Sequence, residues 1–336
     1  MYRQFHNFTR MRKLVTLLSL ALFVIACKQE PIAQGVTLNE EQLLHRLQMI
    51  SHDSLEGRAF GTPGNYKTQR ILADEFEALG IAPAFAEGYI QTYPYTFSGK
   101  RRLRMYPVKD ANEDGSTVSD TTVIGGNVVA KIDGQLKEAI VITGHLDHLG
   151  IRNGKIYNGA DDDASGTAAL FSIAEYFKKN PPKHTLIFAA VDAEEIGSLG
   201  AEYLFKNFPI DTTQIVLNVN MDMIAHNDSL ELYASGTHHY PQLKAPLTTL
   251  DSPINLLFGH DNNADKTLDD WTFSSDHRIF HKRKIPFVYF GVEDHKDYHK
   301  HTDVFENINT EFYIEAVKLI IQAIANYDDY LAPKAE

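Results

Sequence analysis

Short apolar runs of strand character recur through the second half of the chain, at residues 122–132, 139–143, 185–191, 215–221 and 285–290. Between and after them lie segments whose apolar positions follow a helical period, at 164–179, 198–207 and 311–329. Such alternation predicts a largely parallel sheet with helices on both faces. Before this region, helical periods at 38–50 and 65–79 flank a turn-rich stretch around Gly57, Gly61, Pro63 and Gly64, and these two helices are expected to cover one edge of the sheet. Residues 91–120 are mixed, with an aromatic opening, a basic cluster at Lys100, Arg101, Arg102 and Arg104, and a polar loop at 111–120, which reads as a strand followed by a long excursion. No Pro/Gly/Ser linker, low-complexity run or internal repeat divides the 336 residues, so one α/β domain over 38–332, a mostly parallel mixed sheet flanked by helices, is expected.

The first residues follow another pattern. Arg10, Arg12 and Lys13 precede an apolar run at 14–26, too short to cross a bilayer as a stable helix and of the right length for the core of an export signal. The run ends in Val24, Ile25, Ala26 and Cys27, a tetrad that resembles a bacterial lipobox, in which the cysteine thiol takes the lipid. Cys27 is also the single cysteine, which excludes an internal disulfide and a thiolate zinc site. The expectation is a signal peptide at 1–26, a lipidated Cys27 with a short tether at 27–37, and an exported lipoprotein of the bacterial envelope, attached to the membrane through its anchor alone. A formal net charge of -12 argues against a nucleic-acid partner, because phosphate backbones call for a clustered basic surface.

In open α/β sheets, ligands gather beyond the carboxyl ends of the strands, and several chemically capable groups fall there. After 139–143 come Gly144, His145, Leu146, Asp147 and His148, where an imidazole ligand with a neighbouring carboxylate to orient it is a recognisable arrangement. Asp161, Asp162 and Asp163 open the helix near 164. The helix dipole accounts for one or two of them, whereas a cation would relieve all three. Glu194 and Glu195 follow the run 185–191, so that one can face a metal while its neighbour faces a bound water. Asp222 ends an apolar strand, where an unpaired carboxylate is costly. Late in the chain, His299 and His301 are both eligible ligands. Nitrogen and oxygen donors without sulfur suit zinc. Five ligands, one of them shared, with a spare glutamate, fit two metals about 3.5–4 Å apart around a bridging water.

At these residues the sequence resembles the co-catalytic dizinc exopeptidases, a family that includes bacterial leucine-type aminopeptidases, glutamate carboxypeptidases and glutaminyl cyclases. The likeness runs from GRAFGTPGN at 57–65 to HTDVFENIN at 301–309. It implies two Zn2+ ions, with His145 and Asp222 on the first, Glu195 and His299 on the second, and Asp162 bridging both. It further implies Asp147 as a buttress for His145, Glu194 as general base, and a cis peptide between Asp162 and Asp163. The family ligand stands four residues before an aspartate, as His299 does before Asp303; His301 does not, although it lies in an HTD sequence. SSDHRIF at 274–280 matches a further family pattern, with Asp276 and His277 assigned to pocket support rather than to metal.

The implied activity is removal of N-terminal residues from peptides with a free amino end. The alternatives are a glutaminyl-peptide cyclotransferase with one zinc, a carboxypeptidase, and a lipoprotein that binds peptides without catalysis.

Overall fold

A computed structural model describes residues 36–98, 119–264 and 266–333. Cys27 with the whole export segment, the basic cluster at Lys100, Arg101, Arg102 and Arg104, and most of the polar loop at 111–120 lie outside the described residues.

Helices α1 (Glu40–Ile50) and α2 (Pro63–Ala78) come first, each started by a side chain that accepts a free amide, Asn39 and Thr62 respectively. Strands β1 (Ala82–Pro83), β2 (Ile90–Phe97), β3 (Thr121–Ile132) and β4 (Ala139–His145) follow. A small hairpin, β5 (Gly150–Arg152) and β6 (Lys155–Tyr157), leads into α3 (Gly166–Lys179). Then come β7 (Thr185–Val191), α4 (Leu199–Lys206), β8 (Ile215–Met221), β9 (Glu231–Ser235), β10 (Asn255–Phe258), α5 (His277–His281), β11 (Phe287–Gly291) and α6 (Thr310–Leu331).

Nine strands form one mixed sheet, ordered β1-β3-β7-β4-β8-β11-β9-β10, with β2 also paired to β3. The central four, β7, β4, β8 and β11, run parallel, with His145 opposite Val191 and Phe290 opposite Met221. β4 and β7 are buried along their whole lengths, as expected of strands covered on both faces. Successive side chains point to opposite faces. Ile140 and Ile142 of β4 therefore join a core with residues of α1, α2, α3 and α6, while Ala139 and Val141 join a second core with Leu204 of α4 and Phe280 of α5.

The five strands and five helices read from periodicity are all present, to within two residues at most of their ends. Strands β9 and β10 were not expected: ELYAS and NLLF are too short to announce a strand without the neighbours they pair with. The expected cover of one sheet edge holds for α2, which packs on β2 and β3, whereas α1 lies on α3 and α6.

Near its C-terminal end, α6 also pins the loop that enters β7. Asp328 accepts hydrogen bonds from the backbone amides of Lys183 and His184, both at 2.7 Å, and lies 2.9 Å from His184 Nδ1. Burial alone would raise this carboxyl, but the contacts with His184 and Lys183 hold it below the usual aspartate range. A depressed folded-state pKa contributes stability above the unfolded pKa of about 3.9, and that contribution is lost as pH falls through the folded value. Asp328→Asn should therefore cost about 1–3 kcal/mol at neutral pH. In denaturant melts, the gap from the parent chain should narrow as pH falls from about 5 toward 3.

Candidate metal centre

Because β7, β4, β8 and β11 are neighbours and parallel, their carboxyl ends lie along one edge of the sheet. His145 is the last residue of β4, Glu194 and Glu195 lie just past β7, Asp222 follows β8, and the segment after β11 carries His299. The chain turns sharply at three of these exits. Ala193 and Met223, both with φ 62°, and His299, with φ 54°, adopt the left-handed conformation that non-glycine residues seldom take. Two of these residues, Ala193 and Met223, stand directly beside a candidate donor, Glu194 and Asp222 respectively, and the third, His299, is itself one.

The donor atoms do converge. His145 Nε2 lies 3.1 Å from Asp162 Oδ1 and 3.5 Å from Asp222 Oδ1. On the other side of the same carboxylate, Asp162 Oδ2 lies 3.1 Å from His299 Nε2, which is 3.6 Å from Glu195 Oε2. Two groups each gather ligand-capable atoms within 4.8 Å of one another: His145, Asp162 and Asp222, and His148, Asp162 and Glu195. His299 is the one member of this constellation with substantial exposure, at 42% of its side chain, so the cluster opens to solvent on that side.

The electrostatics favour positive charge here. Burial would lower the His145 imidazole, yet Asp222, Asp147 and Asp162 raise it well above the ordinary histidine value. His299 is likewise raised, against burial, by Asp162, Glu195 and Asp222. Asp162 is held well below the usual carboxylate range, against burial, by His148, His145 and His299.

The three consecutive aspartates have three different surroundings. Asp163 accepts from His145 N at 2.8 Å and from Gly166 N at 2.9 Å, tying the end of β4 to the start of α3. Asp161 accepts from Ala225 N at 2.6 Å and meets His295 Nε2 at 3.1 Å. Only Asp162 faces the cluster, so the expectation that one cation relieves all three is corrected: backbone amides neutralise its neighbours. The Asp162–Asp163 peptide is cis, as the resemblance implies.

Asp147 is placed between His145 and the glutamates. His145 Nδ1 lies 3.0 Å from the Asp147 main-chain carbonyl and 3.7 Å from its carboxylate. That carboxylate accepts from Glu194 N at 2.9 Å and Glu195 N at 3.3 Å. Glu194 Oε1 accepts from Ser198 Oγ at 3.3 Å. Burial pushes the Glu194 carboxyl well up, with His145 opposing and Asp276, Asp222 and Glu195 adding.

The other singled-out residues divide. His301 is exposed and sits 2.8 Å from Lys155 Nζ, apart from the cluster. Asp276 and His277 are fully buried. Burial raises Asp276 to about 7, with His145 opposing and Asp147 adding. His277 stacks on Phe287 and Tyr289, its Nε2 2.9 Å from Trp271 O.

Sequence reasoning passed over His148, Arg58 and a neighbouring trio, His226, His295 and Asp297, that also brings donor atoms together. In that trio both His295 nitrogens are engaged, by Asp161 and by the amide of Asp297. Arg58 is fully buried and donates to the carbonyls of Ile50, Leu146, Asn158 and Gly159, at 2.5–3.0 Å, so one guanidinium fastens the loop after β4 to the loop before Asp161. The proximity of GR at 57–58 to the turn-rich stretch gave no sign of this, whereas His148 stood in plain view beside Asp147.

Residues 127–324, more than half of the chain, match Peptidase family M28. The alkaline phosphatase isozyme conversion protein of Escherichia coli (strain K12) is 26% identical over 187 residues, covering 52% of this chain and 48% of that protein. The chain spans about half the length of the curated relatives it matches, between 48% and 54% for the first two. Among solved structures, BSAP, a zinc aminopeptidase from Bacillus subtilis, is similar with a TM-score of 0.65 at 14% identity, over 88% of this chain and 96% of that one. The Fimbriiglobus ruber glutaminyl cyclase is similar with a TM-score of 0.62 at 18% identity, over 88% and 98%. These structural likenesses establish the fold.

The placement of the two late histidines generates a direct test. His299→Ala should lose bound metal and His301→Ala should retain it, as read by elemental analysis of the purified variants after dialysis.

Proposed function

This chain belongs to peptidase family M28, and from that premise we propose that it is a zinc-dependent aminopeptidase that holds two ions and removes residues from the free amino end of peptides. The observation that carries the reading is the two-sided use of Asp162, whose Oδ1 and Oδ2 each stand 3.1 Å from a different imidazole, His145 on one side and His299 on the other. A carboxylate that faces two donor groups suits a pair of metals better than a single one. His145, Asp222 and Asp162 would hold one ion, and Asp162, Glu195 and His299 the other.

The donors fit zinc on their own chemistry, being imidazole and carboxylate without sulfur. Glu195 Oε1 adds to the fit, as a buried oxygen without a hydrogen-bond partner. When bound, zinc supplies Lewis acidity, polarising a carbonyl and acidifying water.

The remaining steps belong to side chains. Glu194, fixed at its amide by Asp147 and at its carboxylate by Ser198, has the raised basicity that suits a group which accepts a proton from water and returns it to the leaving amine. Asp147 orients His145 through its carbonyl and the glutamate segment through its carboxylate. Substrate would approach past the exposed edge of His299. The excess of carboxylates around the cluster attracts a positively charged α-amine, which restricts cleavage to the chain end.

We also propose that the chain is exported and held to the membrane by lipid on Cys27, on the strength of the apolar run at 14–26 and the tetrad that ends it. Among the described residues, no helix is long and apolar enough to cross a membrane.

The deciding experiment assays the purified protein on a panel of N-terminal amino-acid derivatives, C-terminal derivatives and glutamine-initiated peptides, with and without chelator. Release of N-terminal residues, abolished by chelator and restored by Zn2+, is expected. Cyclisation of glutamine without hydrolysis would replace this reading with the cyclotransferase one, and inertness on every substrate would leave a binding role. Glu194→Gln should keep its metal while kcat falls by about 100- to 10,000-fold. Cys27→Ser should move the protein from the membrane fraction to the soluble one.

A further inference from the structure

Among the described residues, three buried donor atoms on the Glu195 side of the cluster have no hydrogen-bond partner: both ring nitrogens of His148, and Glu195 Oε1. The His148 side chain is completely inaccessible to solvent. Its Nδ1 lies 2.8 Å from Glu195 Oε1 and 3.7 Å from Asp162 Oδ2. The nearer contact is short enough for a hydrogen bond, yet it is not aligned as one. Neighbouring donors on a single cation have this relation, standing side by side and aimed at a common point. With zinc–ligand distances near 2.0–2.2 Å, adjacent tetrahedral donors stand about 3.4 Å apart.

Two other buried histidines each spend a ring nitrogen on a fixed partner. His184 Nδ1 is spent on Asp328 at 2.9 Å, and His277 Nε2 on the Trp271 carbonyl at 2.9 Å. A buried imidazole with neither nitrogen engaged is costly unless something charged or polar is meant to meet it.

The seat of the His148 ring is also shaped for it. A side chain at Gly159, where φ is +56°, would begin 2.5 Å from His148 Cγ, so only glycine lets the ring lie against the backbone there. Arg58 binds the carbonyls of both Leu146 and Gly159, clamping the two sides of this seat together. The rings of His148 and His299 are 5.9 Å apart and tilted by 55°, so they flank the Asp162–Glu195 pair rather than stack on each other.

We propose that His148 is a further metal ligand, donating through Nδ1 to the ion that Asp162, Glu195 and His299 hold. The assignment rests on the two-ion reading above and makes the two positions unequal. One ion has three protein donors, His145, Asp162 and Asp222, and retains an open position. The other has four, which is the closed count typical of an ion that is kept rather than used for ligand exchange. The anchoring ion is then the one on the His148 side, and the exchangeable one sits with His145 and Asp222.

The test titrates the metal-depleted full chain with Co2+, whose visible absorption reports donor set and coordination number. It compares the parent chain with His148→Gln, which roughly preserves volume, and with His148→Ala; near-ultraviolet circular dichroism verifies that each is folded. Two equivalents are expected in the parent. In both variants one equivalent should bind at least about 10-fold more weakly with an altered spectrum, and the other should be unchanged. X-ray absorption on the dizinc protein should find three imidazoles shared between two ions in the parent and two in His148→Gln. A folded His148→Gln that binds both Co2+ equivalents with parental affinity and spectrum would overturn the assignment. Should the parent bind one Co2+ only, the two-ion reading fails by itself. Weakening of that one ion by His148→Gln would still uphold the ligand, and indifference would remove it.

Discussion

Buried carboxylates repel one another, and the edge where β7, β4 and β8 end gathers Asp147, Asp161, Asp162, Asp163, Asp192 and Asp222, with Glu194 and Glu195 beside them. Each has to be met by a donor or a cation, since an unpaired charge in a dry interior costs several kcal/mol. The architecture around this edge follows from that requirement. Backbone amides meet Asp163, Asp161 and the carboxylate of Asp147, and those same bonds tie β4 to α3, the loop before α3 to the loop after β8, and β4 to the glutamate segment. Asp192 is met by Asn65, Gln69 and the amides of Gly126 and Ala193, which docks α2 against the sheet. What these bonds leave over is Asp162, Asp222 and Glu195, grouped with imidazoles where positive charge is favoured.

Rigidity and chemistry are thus supplied by the same residue types, distinguished by what faces them. Asp303 shows the economy of the arrangement, since its two oxygens accept the amides of Asp161 and Asp162 at 2.9 and 3.1 Å and so hold the backbone that carries the Asp162 carboxylate. Arg58, among the described residues, hydrogen-bonds no carboxylate; its charge is spread over four backbone carbonyls. A centre held this way is preorganised by the sheet and by long-range bonds, as accurate metal geometry requires. The inequality between a four-donor and a three-donor position would then divide the labour, one ion anchoring and the other leaving room for substrate.

Periodicity determined the longer strands and helices because the signals are local. An apolar run of seven residues such as TLIFAAV is stable only when covered on both faces, and the helical repeat at 311–329 carries its own buried stripe. Residue type likewise marked His145, Asp162, Glu195, Asp222 and His299 as donors, and the ordered motifs placed the chain in its family. That a set of several thiolate ligands is ruled out also needed nothing beyond the single cysteine. Which aspartate of Asp161, Asp162 and Asp163 faces the cluster was not decided locally, because their partners are remote: Ala225 is 64 residues from Asp161, and Asp303 is 142. The pairing order that sets β7 beside β4 and β4 beside β8, the left-handed backbone at Ala193, Met223 and His299, and the burial of His148 against Gly159 likewise exist only in the folded chain. Donor identity is a property of single residues, whereas donor direction is a property of the backbone that several distant segments hold in place together.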